Sequence, residues 1–256
     1  MTVTGRVRKV PDSATNPHLR HQLANNDQQR VVIVTGAFGA LGGAVARRFA
    51  ATGDTVVLLG RGAVPAELAG EFKDPHVLIP GVDLADADSA AKAISTTVDR
   101  TSRIDALINV AGGFRFETLE SGGIATWELM FAMNLKTAVN ASKAVLPHLL
   151  KRGGRIINIG AGAAARAKAG MGAYTASKAG VERLTEALAE ELKDRNITVN
   201  CVLPGTIDTP QNRAAMARAD FSRWVAPAAI ADVIHFLASD AAWAVNGASI
   251  RVFGRG

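Results

Sequence analysis

From Val31 onward, short β-branched runs alternate with longer helical patterns, and this alternation restricts the accessible folds more than any other feature of the chain. Residues 31–35, 55–59, 77–82, 106–109, 155–159, 198–203 and 249–253 read as strands. Between them, residues 41–51, 85–102, 126–150, 173–195 and 228–239 carry apolar side chains at three- and four-residue spacing, the pattern of helices packed on one face. Strands separated by helices cannot close as hairpins. They lie parallel, joined by right-handed crossovers that cover both sheet faces. The fold class expected is therefore α/β: one doubly wound parallel sheet of about seven strands, spanning residues 31–256, with helices on both faces. No linker, internal repeat or low-complexity block divides this series.

Composition agrees with a packed domain, at 48% hydrophobic and 20% charged residues, and its 25 glycines suit tight turns and close helix–sheet contact. No run approaches the roughly 18 apolar residues of a membrane span, so no membrane partner is expected. The single cysteine, Cys201, lies in the apolar run I-T-V-N-C-V-L and reads as a buried thiol. A cytoplasmic location fits, and no metal site is expected. Of the net charge of +6, half falls in residues 1–30, where Arg6, Arg8, Lys9, Arg20 and Arg30 stand against Asp12 and Asp27. That segment has no apolar periodicity and reads as a polar, basic tail outside the domain. Pro11, Asp12, Pro17 and the stretch 25–27 interrupt any targeting pattern, and no aromatic residue is interleaved with the basic ones, so no nucleic-acid partner is expected.

The first strand runs directly into a glycine turn, V-V-I-V-T-G-A-F-G-A-L-G-G, with Gly36, Gly39 and Gly42 at the mouth of the first helix. Absent side chains let backbone N–H groups approach a pyrophosphate, and the helix amino terminus adds favourable partial positive charge. A dinucleotide is the expected ligand. The second strand ends at Gly60, where a carboxylate would bind the adenosine ribose of NAD; Arg61 follows and suits a 2′-phosphate, so NADP is expected over NAD. After the third strand, Asp83 is placed to meet the adenine edge or to cap the next helix.

Tyr174, the only tyrosine, precedes Lys178 by one helical turn in A-Y-T-A-S-K, so the two side chains share a face. An ammonium beside a phenol favours the phenolate and would lower the Tyr174 pKa from its ordinary value near 10 by roughly 1–3 units. General acid chemistry near neutral pH becomes accessible.

Taken in order, the glycine turn, N-V-A-G at residues 109–112, Y-T-A-S-K and L-P-G-T at residues 203–206 make the chain resemble the short-chain dehydrogenase/reductase family over residues 31–256. The resemblance implies a Rossmann-like fold, a small-molecule substrate and a homotetramer or homodimer built on the long helices. It implies that Tyr174 donates or accepts the proton, that Lys178 holds the nicotinamide ribose, and that Asn134 of F-A-M-N-L supports a proton relay. Cofactor contacts would come from Thr35, Gly36, Phe38, Gly39, Leu41, Gly42, Arg61, Asp83, Leu84, Asn109, Ala111, Gly112, Tyr174, Lys178, Pro204, Gly205 and Thr206.

Two departures stand out. Ala40 occupies the place of the family's middle glycine, and Ala161 stands where the family carries a serine, thirteen residues before the tyrosine. The stretch 158–165 contains no hydroxyl, and a missing transition-state donor typically costs roughly 10²–10³ in rate. The segment 208–224, D-T-P-Q-N-R-A-A-M-A-R-A-D-F-S-R-W, is similar to dihydropteridine reductases, which also lack that serine and act on a readily reduced quinonoid ring. The expected function is thus NADP(H)-dependent reduction of a conjugated carbonyl, quinonoid or imine-like small molecule. Alternatives are a generic ketone, alcohol or 3-oxoacyl reductase, or an NADP(H)-binding sensor or scaffold without turnover.

Overall fold

A computed structural model of the chain describes residues 29–255. The expected basic tail, up to residue 28, lies outside the described residues. Arg30, grouped with that tail by composition, is tied to the domain: its guanidinium donates to both Asp54 carboxylate oxygens at 2.9 and 2.8 Å and to the Ala238 carbonyl at 3.0 Å.

Seven strands form one sheet: β1 (Val31–Thr35), β2 (Thr55–Leu59), β3 (Val77–Ile79), β4 (Ala106–Asn109), β5 (Gly154–Ile159), β6 (Ile197–Pro204) and β7 (Ser249–Val252). Their order is β3-β2-β1-β4-β5-β6-β7 and every pairing is parallel. Because a strand turns successive side chains to opposite faces, each strand feeds two cores. On one face Val32, Val34, Val56, Leu58 and Ile108 pack under α1 (Ala40–Ala50), α2 (Ala66–Glu71) and a C-terminal helix, Pro227–Leu237, through Phe49, Leu68 and Ile234. On the other, Val31, Ile33, Val57, Leu59 and Leu107 pack under α3 (Ala87–Thr101) and two further helices, Thr137–Leu149 and Gly172–Leu192, through Ile94, Val145 and Leu192.

The remaining elements differ in part from the periodicity. The stretch read as one helix over 126–150 is α4 (Ile124–Phe131), a π-helical turn (Ala132–Lys136) and α5 (Thr137–Leu149). α6 (Gly172–Leu192) carries the Tyr–Lys motif, and α8 (Pro227–Leu237) follows a short α7 (Pro210–Ala215). Neither α2 nor α7 was expected, each being only six residues long. β3 stops at Ile79 rather than residue 82, since Pro80 offers no N–H and Gly81 turns the chain with φ +72°.

The chain order reverses at β1, whose neighbours are β2 and β4. At such a switch point the crossover helices leave to opposite sides and open a crevice at the strands' carboxyl ends. All the motifs singled out in the sequence fall on that edge.

Candidate active site

The glycine turn is built for close approach. Gly36 has φ +61°, and a Cβ there would sit 2.9 Å from the Ala111 Cα; one on Gly42 would sit 2.3 Å from the Gly36 carbonyl oxygen and 2.7 Å from the Ala37 Cα. Neither collision can be relieved, because the opposing atoms are backbone. Gly39 is less constrained, and Ala40 is exposed, so the methyl at the family's middle glycine meets no obstacle. The first turn of α1 holds no acidic residue, which leaves the amino-terminal partial charge free for an anion. Thr35 is fully buried. Its hydroxyl accepts from Ala111 N at 3.0 Å and donates to the Ile108 carbonyl at 3.4 Å, lashing β1 to β4 at the switch point.

At the adenosine end, Asp83 makes two local contacts. One carboxylate oxygen accepts from Ala85 N at 3.0 Å, and the other lies 3.6 Å from Arg61 Nη2. It does not cap α3. Asp86 does, accepting from Asp88 N, because its extended backbone aims the carboxylate at the first helical turn. Leu84 is a core residue whose carbonyl accepts from Asn140 Nδ2 at 2.9 Å.

Tyr174 and Lys178 occupy the first two turns of α6. Lys178 is buried, and its ammonium donates to the Ile159 carbonyl at the end of β5 at 2.7 Å. Asn134, at the centre of the π turn, is buried with both ends of its amide engaged: Oδ1 accepts from Gly113 N at 2.8 Å and Nδ2 donates to Ser177 Oγ at 2.9 Å. Ser177 in turn donates to the Tyr174 carbonyl at 2.7 Å. Gly112 must be glycine here, since a Cβ would lie 2.6 Å from Asn134 Oδ1 and 3.3 Å from Lys178 Nζ. Widening the helix to a π turn is what swings Asn134 inward to this junction.

The electrostatics depart from the sequence expectation. Burial pulls the Lys178 ammonium down to about 8 and pushes the Tyr174 phenol up to about 12. A lowered phenol pKa was expected from the neighbouring cation, but Lys178 spends its hydrogen bond on Ile159 and no hydrogen bond from the Tyr174 hydroxyl occurs among the described residues. Desolvation therefore dominates, and at neutral pH the phenol holds its proton.

Asn109 lies beneath the site, its Nδ2 donating to Asn158 Oδ1 at 2.9 Å and Ser142 Oγ at 3.2 Å, with its own Oδ1 buried and unpartnered. Ala111 and Gly112 follow it out of the core. Pro204 ends β6, Gly205 N donates to the Val252 carbonyl at 3.0 Å, and Thr206 is exposed beyond it. Ala161 is buried at the end of β5 in extended backbone. Phe114, which the sequence reading passed over, packs edge-on against Tyr174 with ring centroids 4.9 Å apart and planes at 83°. Ser177, Ser142 and Asn158 were also missed; only S-K within the tyrosine motif hinted at the first. A separate open groove, lined by residues such as Arg103, Lys151 and Arg152, lies at the amino ends of β4 and β5, away from this chemistry. Among the described residues no group of three or more His, Cys, Asp or Glu could hold a metal, and no helix is long and apolar enough to cross a membrane.

The cradle and the protonated phenol open on the same carboxyl edge of the sheet, and residues that would take up a pyrophosphate stand clear of side chains there. This is the arrangement of an NAD(P)-dependent oxidoreductase. Comparison with known proteins gives the family: the chain belongs to the short-chain dehydrogenases, whose family model matches residues 30–220. It is 34% identical over 245 residues to the 3-oxoacyl-[acyl-carrier-protein] reductase FabG of Thermotoga maritima, covering 88% of this chain and 96% of that protein. It is 31% identical over 242 residues to the acetoacetyl-CoA reductase of Allochromatium vinosum, covering 88% and 97%. The 2-(R)-hydroxypropyl-CoM dehydrogenase of Xanthobacter autotrophicus is 34% identical over 242 residues, covering 86% and 96%.

Proposed function

We propose that the chain is an NADPH-preferring reductase of small-molecule carbonyl compounds, in the general 3-oxoacyl and ketone class that the relatives' names support. The observation that carries this reading is the half-buried Tyr174 phenol, held protonated on the helix that also carries the buried Lys178 and the Ser177 bonded to Asn134, at the edge where the glycine cradle opens. Gly36, Gly39 and Gly42 would hold the pyrophosphate, Arg61 the 2′-phosphate, and Lys178 the ribose next to the nicotinamide. When bound, the reduced nicotinamide supplies hydride to the carbonyl carbon. As the π electrons move to the carbonyl oxygen, Tyr174 gives that oxygen its hydroxyl proton. Lys178, with a pKa of about 8, is largely charged at neutral pH and favours the resulting phenolate until it is reprotonated. Asn134 holds the Gly113 amide and, through Ser177, the first turn of α6, so it fixes where the phenol stands.

A second reading, a conjugated carbonyl, quinonoid or imine-like substrate, is favoured by Ala161. No hydroxyl at that position assists the oxygen, and a substrate that accepts hydride readily depends on such assistance least. Phe114 presents a flat apolar surface against the phenol ring, and two further aromatic side chains lie along the segment that leads into α6, Phe116 over Gly170 and Trp127 against Gly172. Oxidation of NADPH against a panel of 3-oxoacyl thioesters, plain ketones, quinones, cyclic imines and a quinonoid dihydropterin separates the two. Highest kcat/KM on a thioester supports the first reading; activity confined to conjugated rings supports the second; no oxidation of NADPH with any of them counts against both.

The same reading takes the enzyme as cytoplasmic, with its one thiol buried and reduced, and as a homotetramer or homodimer. Exposed Ile124, Leu129, Phe131 and Val139 along α4 and α5 supply an apolar surface for that contact.

A further inference from the structure

Phe38, between Gly36 and Gly39, folds its ring back onto the end of β2. A Cβ built on Gly60 would lie 1.9 Å from Phe38 Cδ2, 2.3 Å from Cε2 and 2.4 Å from Cγ. Backbone conformation does not demand glycine at this position, since Gly60 is not among the residues with positive φ. The ring does. Nor can the strand end swing aside: Gly60 N donates to the Ile79 carbonyl at 3.2 Å and its own carbonyl accepts from Val82 N at 3.0 Å. Phe38 is itself half-buried against the core on the α1 face, so the ring is no free end that could yield cheaply.

Residue 60 is where a carboxylate would accept from the adenosine ribose of NAD. We propose that Phe38 and Gly60 form one coenzyme-selecting element, in which the ring occupies the volume of that carboxylate and leaves Arg61 as the charged side chain that follows β2 directly. Arg61 is suited to the task, being 77% exposed and held only at 3.6 Å by Asp83. Selection for the 2′-phosphate is then enforced from inside the glycine turn, by excluding the competing acceptor as well as by supplying a cation. The inference rests on the NAD(P)-binding reading above and adds a prediction that reading alone does not make: the two positions are coupled, and Gly60→Asp by itself cannot create a preference for NADH.

The test is a cycle of four proteins, wild type, Phe38→Ala, Gly60→Asp and Phe38→Ala/Gly60→Asp, each followed by thermal unfolding without nucleotide and by calorimetric titration with NADPH and with NADH. Gly60→Asp should lower the unfolding midpoint by several degrees and leave NADH weaker than NADPH. The double variant should be less destabilised than the two single changes summed, and should bind NADH about tenfold more tightly than wild type does. If Gly60→Asp does not fold, the double variant and Phe38→Ala still give both readouts, and a double variant that also stays unfolded overturns the coupling. A Gly60→Asp protein that keeps the wild-type midpoint and itself prefers NADH overturns it as well. Folded proteins that bind neither nucleotide would instead remove the cofactor site, and the selecting role with it, while the unfolding cycle reports separately whether ring and residue 60 collide.

Discussion

Replacing Lys178 with methionine should make the protein more stable and less active. The Lys178 ammonium is buried, and its pKa falls from 10.5 to about 8, so the folded state resists the charge by on the order of 3 kcal/mol at neutral pH. Methionine removes that penalty and fills a similar volume. It also leaves the Ile159 carbonyl without its 2.7 Å donor, at a cost of about 1–3 kcal/mol for a buried acceptor. The net expectation is a gain of ~0–2 kcal/mol, or up to ~8 °C in midpoint for a chain of this size. The pH dependence has a definite sign. Between pH 8 and 10.5 the unfolded chain binds the lysine proton and the folded chain does not, so wild-type stability rises with pH through that window, while Lys178→Met gains nothing from it. The advantage of Lys178→Met should therefore be largest below pH 8 and reverse by about pH 10.5, where the lysine is largely neutral in the folded chain and only the lost Ile159 hydrogen bond separates the two proteins. Cys201, pushed up to about 12 by burial, acts in the opposite sense above pH 9, but it is present in both proteins and largely drops out of the difference. Urea unfolding at pH 7, 8.5 and 10 measures this. A variant less stable than wild type at pH 7, or a difference that does not change with pH, would refute the reasoning.

Gly42→Ala should destabilise the fold by about 1–3 kcal/mol and abolish NADPH binding, because the added methyl meets the Gly36 carbonyl oxygen at 2.3 Å; thermal unfolding and calorimetry report the two losses separately. Ala161→Ser should raise kcat/KM on plain ketones by up to ~10²-fold and change conjugated substrates less, as steady-state kinetics on both classes would reveal. Without nucleotide, phenolate absorbance from the unique Tyr174 should be nearly absent at pH 10, about 1% ionised rather than half, since burial pushes its pKa up to about 12. A half-developed phenolate signal at that pH would mean that Lys178 sets the titration after all.

Strand positions were legible because both sheet faces are covered, which makes each strand a continuous apolar run such as V-V-I-V or V-V-L-L. The glycine turn was legible for a different reason: Gly42 answers to the backbone of Gly36 and Ala37 and Gly36 to its own positive φ, so their necessity is largely written locally, although Gly36 also faces the distant Ala111 backbone. What failed to show was set by distant parts of the chain. The π turn interrupts no apolar spacing, so residues 126–150 read as one helix, and only the Gly113 amide and Ser177 reveal why Asn134 turns inward. The collision of Phe38 with Gly60 and the packing of Phe114 on Tyr174 join segments far apart in sequence. The Tyr174 pKa was misjudged because helical spacing gives the distance between two Cα atoms and says nothing of where an ammonium spends its hydrogen bond. α7 could have been found, since Thr209 accepts from Asn212 N as an N-cap and Pro210 sits at the first helical position. α2, six residues with Gly70 near its end, has no comparable signal.

Single-turnover oxidation of bound NADPH by wild type and Tyr174→Phe, alongside calorimetric NADPH affinity for both, tests the central claim most directly. The phenol's principal role in this account is proton donation, with its contact to the nucleotide secondary, so affinity should stay within about threefold while the oxidation rate on the best carbonyl substrate falls by roughly 10²–10⁴. A Tyr174→Phe protein that oxidises NADPH at the wild-type rate, or a wild type that binds no NADPH, would contradict the account.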